Sequence, residues 1–164
     1  MKEGATMDEL ARSLGHYTIA IGACDPQAIA RIKLVVSRSS RHSGEFSFLS
    51  AFSAPQVVTL ATMSAPDCII LDSDLGVENA LDILKALQDG AGKVSVPIIV
   101  LSTQVSARER ADALKYGAFD HLVEPFSETK FIERLRSAIR QKLAGGRKIE
   151  NPDLGQERLR FSPL

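Results

Sequence analysis

Carboxylate and hydroxyl side chains follow the apolar segments of this chain at several points. The set comprises Asp25, Asp72, Asp74, Ser102, Thr103 and Glu124. Such side chains transfer protons, act as nucleophiles or bind hard cations, provided that the fold brings them together. In the stretch "FDHLVEPF", Glu124 directly precedes a proline, which places this carboxylate where the chain must turn. The first question is therefore which elements would bring these residues to one place.

Short apolar segments alternate with amphipathic ones along most of the chain. The apolar segments predict five strands, at 17–24, 46–52, 66–72, 96–102 and 118–123. The amphipathic segments predict a helix after each strand, at 25–38, 55–65, 77–90, 106–117 and 127–146, and another before the first strand, at 7–14. Repeated strand–helix units predict an α/β fold, a doubly wound five-stranded parallel sheet with helices on both faces.

Details of single segments support this order. The run "PDCIILD" at 66–72 is almost continuously apolar, as a strand buried on both faces requires. The segment 46–52 alternates only loosely, which is typical of a half-buried or edge strand. Asp25 followed by Pro26 is a helix start, with Asp25 as the N-cap. In open α/β sheets ligands bind beyond the carboxyl ends of the strands, so we expect the polar set at one edge of the sheet.

Composition restricts the class of protein. The 164 residues include 20 basic and 20 acidic side chains, so the net charge gives no indication of a nucleic-acid partner. No apolar run approaches the roughly 20 residues that a membrane span needs, and the N-terminus has no signal-peptide pattern. We therefore expect a cytoplasmic protein without membrane or nucleic-acid contacts. Cys24 and Cys68 form no metal-binding motif, and the predicted strand positions hold them too far apart for a disulfide.

The chain resembles the receiver domain of two-component response regulators, a family that includes the chemotaxis regulator. The similarity rests on "CIILDSDL", "VPIIVLST" and "KYGAFDHLVEPF" together with the strand–helix order. It covers residues 17–143 and implies a flavodoxin-like strand order of 2-1-3-4-5. Residues 1–16 would then be an N-terminal helical extension, and residues 144–164 a C-terminal linker or tail.

The resemblance assigns roles to four positions. In the family, the aspartate that ends the third strand accepts a phosphoryl group from a histidine kinase, and Asp72 matches it. Ser102 matches the hydroxyl that binds the phosphoryl oxygens, with Thr103 as the alternative if the register differs by one residue. His121 occupies the place of the aromatic residue that moves with this hydroxyl. A histidine there could act as a pH switch, although a surface or half-buried strand histidine is the simpler interpretation.

The chain departs from the family pattern at its charged positions. The family has a lysine before the Pro-Phe pair, where this chain has Glu124. The two acids that hold Mg²⁺ in the family correspond to Ala23 and Cys24, and Asp25 could replace them only if the loop shifts. Asp74 falls where the family offers a backbone carbonyl to the metal. The resemblance therefore implies at most weak Mg²⁺ binding, with Asp25, Asp72 and Asp74 as candidate ligands.

Replacing the lysine with Glu124 disfavours a phosphorylated state. A pair of unit charges about 4 Å apart is worth about 4 kcal/mol at an effective dielectric constant near 20, so attraction is lost and repulsion added. Arg108 or Lys130 could supply the missing positive charge. Glu124 is more simply the mark of altered chemistry than a catalytic acid, since no partner base is evident.

Three functions remain open from the sequence. The first is a non-enzymatic receiver, phosphorylated on Asp72 by a histidine kinase or phosphotransfer protein, that signals by protein contact. Its output surface would be the face of the fourth helix and fifth strand, which binds another protein or a second copy. The second is a pseudo-receiver that uses this face without phosphorylation. The third, an enzyme that binds flavin or a nucleotide, is disfavoured because Asp25 at a helix N-terminus would repel phosphate.

Overall fold

A computed structural model describes residues 15–39, 45–75, 78–89, 95–104 and 106–144. The predicted helix at 7–14 and the predicted tail beyond residue 144 lie outside this range. Among the described residues, no helix has both the length and the apolar character needed to cross a membrane.

Five parallel strands form the central sheet. They are β1 (His16–Gly22), β2 (Glu45–Ala51), β3 (Cys68–Asp72), β6 (Ile98–Ser102) and β7 (Asp120–Val123). Their order in the sheet is β2-β1-β3-β6-β7. This is the predicted doubly wound order, because β4 (Asp74–Leu75) and β5 (Glu78–Asn79) form only a two-residue antiparallel pair outside the sheet. The predicted edge position of β2 is also confirmed.

Helices cover both faces of the sheet. They are α1 (Pro26–Ser39), α2 (Ala54–Met63), α3 (Ala80–Asp89), α4 (Ala107–Lys115) and α5 (Glu128–Leu143). Buried side chains of α2, α3 and α4 share one apolar cluster, and those of α1 and α5 share the other. Alternate residues of β3 contribute to each cluster, Ile69 to the first and Ile70 to the second. A strand buried on both faces therefore explains the continuous apolar run.

Serine caps set the starts of several helices. Ser127 accepts the N–H of Lys130 at 3.1 Å, which confirms the predicted start of α5. Ser106 and Glu109 form a reciprocal capping box at α4. The helix predicted at 77–90 begins later, at Ala80, because Asn79 and Asp82 bind each other's backbone N–H groups at 3.3 and 3.1 Å. The predicted boundary was therefore wrong at that end.

Two contacts hold β1 and β3 in place. A Cβ atom added to Gly22 would lie 2.6 Å from Cγ2 of Val57, so only glycine allows α2 to pack this closely. At the opposite edge of the sheet, Nζ of Lys142 donates hydrogen bonds to the carbonyls of Ala65, at 2.6 Å, and Pro66. The last turns of α5 are thereby tied to the segment that enters β3.

Candidate functional site

The carboxyl ends of β3 and β6 bring Asp72 and Ser102 to the same edge of the sheet. Asp72 pairs with Leu101 in the parallel register, and the N–H of Ser73 donates to the carbonyl of Leu101 at 2.8 Å. Ser102 is the next residue of β6, so the predicted phosphoacceptor and hydroxyl positions are neighbours on adjacent strands. The structure thus brings together the two residues at the centre of the sequence prediction.

Asp72 lies half-buried in an acidic environment. Its Oδ1 atom accepts the N–H of Asp74 at 3.1 Å, an interaction that supports the ionised form. Burial raises the pKa of the Asp72 carboxyl above its usual value, and the carboxylates of Asp74 and Asp25 act in the same direction. The hydrogen bond from Asp74 and the positive charge of Arg31 oppose this shift of the pKa. Asp72 is therefore a carboxylate whose ionisation is disfavoured by its surroundings.

The segment after β1 has Ala23 and Cys24 at the two positions where the resemblance implies metal-binding acids. Ala23 is fully buried, and its N–H donates to the carbonyl of Ala51 at 3.0 Å. Cys24 is an exposed free thiol. Asp25 is exposed, and its Oδ1 atom accepts the N–H of Gln27 at 2.9 Å, as predicted for the N-cap of α1. Its carboxylate is engaged by the helix rather than shifted into the place of the acid pair.

The described residues form no metal site with three or more protein ligands. They contain no group of three or more His, Cys, Asp or Glu side chains placed to hold a metal ion. Asp25 caps α1 and Asp74 is exposed, although both carboxylates lie close enough to Asp72 to raise its pKa. Mg²⁺ requires near-octahedral oxygen coordination, usually with one or two carboxylates and several waters. Asp72 with one neighbouring acid would meet this minimum, with water supplying most of the ligands.

Ser102 and His121 form a buried hydrogen bond next to Asp72. The Ser102 Oγ and His121 Nε2 atoms are 2.7 Å apart, and the two residues are only 4% and 6% exposed. The interpretation of His121 as a surface or half-buried residue was therefore wrong. Thr103, the register alternative, is exposed. His121 pairs with Val100 in the register of β6 and β7. Val100 and Ser102 lie two residues apart on β6, so the side chains of His121 and Ser102 are on the same face of the sheet. This alignment could have indicated the contact.

Glu124 directly follows β7, at the position where the resemblance implies a lysine. Its side chain is exposed, while its N–H donates to the carbonyl of Ser102 at 2.7 Å. The Glu124–Pro125 peptide bond is cis. Arg108 does not replace the lysine, since its side chain is 92% exposed and its Nε atom lies 3.9 Å from Oδ2 of Asp112. The guanidinium that acts on Asp72 belongs instead to Arg31, on α1.

A buried ion pair lies at the start of β7 and was not predicted. Asp120 is fully buried, and its Oδ2 atom is 2.9 Å from Nε of Arg134 on α5. Its Oδ1 atom is 3.9 Å from Nη2 of Arg110 on α4 and accepts the N–H of His121 at 2.8 Å. Asp120 thus connects both helices that flank β7. The sequence alone suggested only a polar residue in a short strand.

The fold and the paired Asp72 and Ser102 positions define a receiver-type signalling domain. Residues 29–136 match the family described as the response regulator receiver domain. The chain belongs to this family. The matched range begins inside α1, after Ala23, Cys24 and Asp25.

Curated relatives include proteins named as transcriptional regulatory proteins. The chain is 31% identical over 107 residues to the transcriptional regulatory protein KdpE of Mycobacterium tuberculosis, covering 65% of this chain and 46% of that protein. It is 32% identical over 107 residues to the transcriptional regulatory protein PrrA of Mycobacterium bovis, covering 65% and 45%. The matching part thus spans less than half the length of these relatives.

Solved receiver domains have the same fold. The receiver domain of the Francisella response regulator 1452 superimposes with a TM-score of 0.63 at 22% identity, covering 77% of this chain and 98% of that one. The receiver domain of the sensor histidine kinase PA1611 from Pseudomonas aeruginosa, with a magnesium ion in its active-site cleft, also gives 0.63 at 22% identity, covering 76% and 98%. At this identity the similarity establishes the fold.

Proposed function

We propose that this receiver domain accepts a phosphoryl group on Asp72, weakly, and signals through protein–protein contact. The observation that carries the proposal is the placement of Asp72 and Ser102 on adjacent strand ends, with Asp72 half-buried. An oxygen of the Asp72 carboxylate would form a bond to phosphorus. The bond from phosphorus to the donor would break, and the leaving group would take its electron pair.

Weak acceptance follows from the charges around Asp72. The site has Asp74 and Asp25 near the nucleophile, Glu124 in place of the lysine and buried Ala23 in place of an acid. Each difference either raises the negative charge or removes a ligand for the cation that would offset it. We infer that any Mg²⁺ bound at Asp72 and Asp74 is held weakly. The donor would be a histidine kinase or phosphotransfer protein, and the domain itself would turn over no free substrate.

A phosphorylation-independent interaction module is the second candidate. Two observations favour it, the exposed carboxylate of Glu124 and the packed apolar side chain of Ala23. In this case the surface of α4 and β7 would bind an output protein or a second copy without modification of Asp72. Exposed Val123, at the end of β7, and the exposed charges of α4 lie on this surface.

Intact-protein mass spectrometry with acetyl phosphate as the donor separates the two candidates. The wild type and the variants Asp72→Asn, Glu124→Lys and Glu133→Lys would be incubated over a range of Mg²⁺ concentrations. Glu133→Lys is the matched control, because it makes the same charge change at an exposed position on α5. We expect slow addition of one phosphoryl group to the wild type and none to Asp72→Asn.

Glu124→Lys should increase the modified fraction. At about 1.4 kcal/mol for each factor of ten, recovery of only part of the lost attraction corresponds to a gain of about tenfold or more. Glu133→Lys should behave like the wild type. Absence of modification in both the wild type and Glu124→Lys would refute phosphorylation of Asp72 and leave the interaction module. Equal modification of Asp72→Asn would show that another residue reacts.

A further inference from the structure

One nitrogen of the buried His121 ring is hydrogen-bonded to Ser102, and the surroundings of the other nitrogen support a separate inference that does not involve phosphorylation of Asp72. His121 lies on β7 and Ser102 on β6, and both side chains are directed to the face that α4 helps to cover. The second ring nitrogen of His121, Nδ1, is buried and has no hydrogen-bond partner among the described residues. Within the described part of the chain, the bond to Ser102 is therefore the only hydrogen bond that holds the ring.

The neutral ring fits this site in one tautomer better than in the other. With hydrogen on Nε2, the ring donates to Ser102 Oγ and leaves Nδ1 as a bare acceptor. With hydrogen on Nδ1, a buried N–H would lack an acceptor, which is the rarer and more costly arrangement. The first tautomer leaves the hydroxyl hydrogen of Ser102 free to donate elsewhere.

The surroundings disfavour the protonated ring. Burial lowers the pKa of His121 below its usual value, and Arg110 on α4 adds to this effect. Asp120 on β7 and Glu109 on α4 act in the opposite direction. A protonated ring would also carry a buried Nδ1–H without a partner. Both effects would be relieved if the ring left its buried site.

We propose that the hydrogen bond between Ser102 and His121 is a proton-sensitive switch. While His121 is neutral, the ring stays buried and holds the Ser102 hydroxyl in place. When His121 is protonated, the ring leaves its site and Ser102 is released. Acidification would thereby change the site beside Asp72 and the packing of α4 against β7 without any phosphoryl group.

The direction of the pH dependence follows from proton binding. Because the buried ring has the lower pKa, the open form binds the proton first. The buried form is fully favoured above the usual histidine pKa of about 6.5. As the pH falls below that value, its population relative to the open form decreases, by up to about tenfold for each pH unit, until the buried ring itself becomes protonated.

NMR spectroscopy of the full chain tests this switch in the absence of any phosphodonor. The imidazole signals of His121 and the backbone amide of Ser102 would be followed between about pH 5 and 8. We expect the Nε2–H tautomer at high pH. On acidification, His121 and the Ser102 amide should change with one shared midpoint, lower than the usual histidine pKa of about 6.5.

Two variants distinguish the switch from general effects of pH. His121→Gln keeps a donor for Ser102 Oγ but cannot be protonated, so the pH response of the Ser102 amide should disappear. Ser102→Ala removes the bond, so the titration midpoint of His121 should rise toward the usual histidine pKa of about 6.5. A Ser102 response that persists in His121→Gln would overturn the proposal. A His121 ring that titrates at the usual histidine pKa in the wild type, or that stays buried and neutral throughout the range, would overturn it as well.

Discussion

Replacement of Asp120 by asparagine would test how strongly β7 is tied to its flanking helices. Asp120 is fully buried between Arg134, whose side chain is 14% exposed, and Arg110, which is 33% exposed. Asparagine has nearly the same shape but no charge. The substitution therefore removes the electrostatic attraction and leaves two guanidinium groups without their buried partner.

The magnitude follows from the distances. At an effective dielectric constant of about 20, unit charges separated by the 2.9 and 3.9 Å of the two pairs interact by about 6 and 4 kcal/mol. The desolvation of a buried carboxylate offsets several kcal/mol of this sum. Removal of one partner from a buried pair typically costs about 3–5 kcal/mol. Because Arg110 can still reach water, we expect a loss of about 3 kcal/mol in the free energy of unfolding.

Urea denaturation followed by circular dichroism measures this loss. With a slope of about 2 kcal/mol per molar urea, the unfolding midpoint should fall by about 1.5 M. Asp112→Asn is the matched control, because Asp112 is paired with Arg108 at 3.9 Å on the surface of α4. Exposed i,i+4 pairs contribute only about 0.3–0.5 kcal/mol, so this control should unfold almost like the wild type.

Equal midpoints for the two variants would refute the assigned role of Asp120. A double-mutant cycle with Arg134→Met isolates the closer pair. If the substitution of Arg134 costs as much in the Asp120→Asn background as in the wild type, the two groups are not coupled. The stability of β7 would then have to come from its apolar contacts.

Substitutions at three further positions have definite expected outcomes. Gly22→Ala should lower the free energy of unfolding by about 1–3 kcal/mol, because the new Cβ overlaps Val57. A melting temperature equal to that of the wild type would contradict the close packing of α2. Ser106→Ala should cost about 1 kcal/mol by removing the cap of α4, and Ser106→Asp should restore most of it in the same denaturation assay. Lys142→Met should lower the free energy of unfolding by about 1–3 kcal/mol, because two carbonyls lose their charged donor. Amide hydrogen exchange should then increase in the last turns of α5. Exchange like that of the wild type would show that the contact is dispensable.

The sheet was predictable because its signals are local and strong. The runs that became β3 and β6 are apolar at nearly every position, which only a strand buried on both faces explains. The strand ends were less predictable. Residues 66 and 67 belong to the approach to β3, since the Asp67 carboxylate accepts the N–H of Thr18 at 2.8 Å. A side chain that binds the backbone in this way cannot be recognised from hydrophobic periodicity.

The site was predictable in position but not in its interactions. Position along the strands places Asp72 and Ser102 together, because parallel strands align their carboxyl ends. The rotamer of His121 does not follow from spacing, since it depends on competition among several possible partners. The cap formed by Asp25, in contrast, was predicted from the acid and proline at the start of α1. Arg31 was not predicted as the cation that acts on Asp72, because its position in the helical pattern indicates only a solvent-exposed side chain.

The burial of Ala23 bears on how this site could change during evolution. Its side chain is packed inside the protein, and its N–H is bonded to β2. A mutation that introduced an acid there would place a charge in an apolar environment before any cation was available to stabilise it. Such a substitution would first have to be tolerated as a destabilised fold. The packing of Ala23 therefore opposes the gain of an acid at this position, whatever residue stands at position 124.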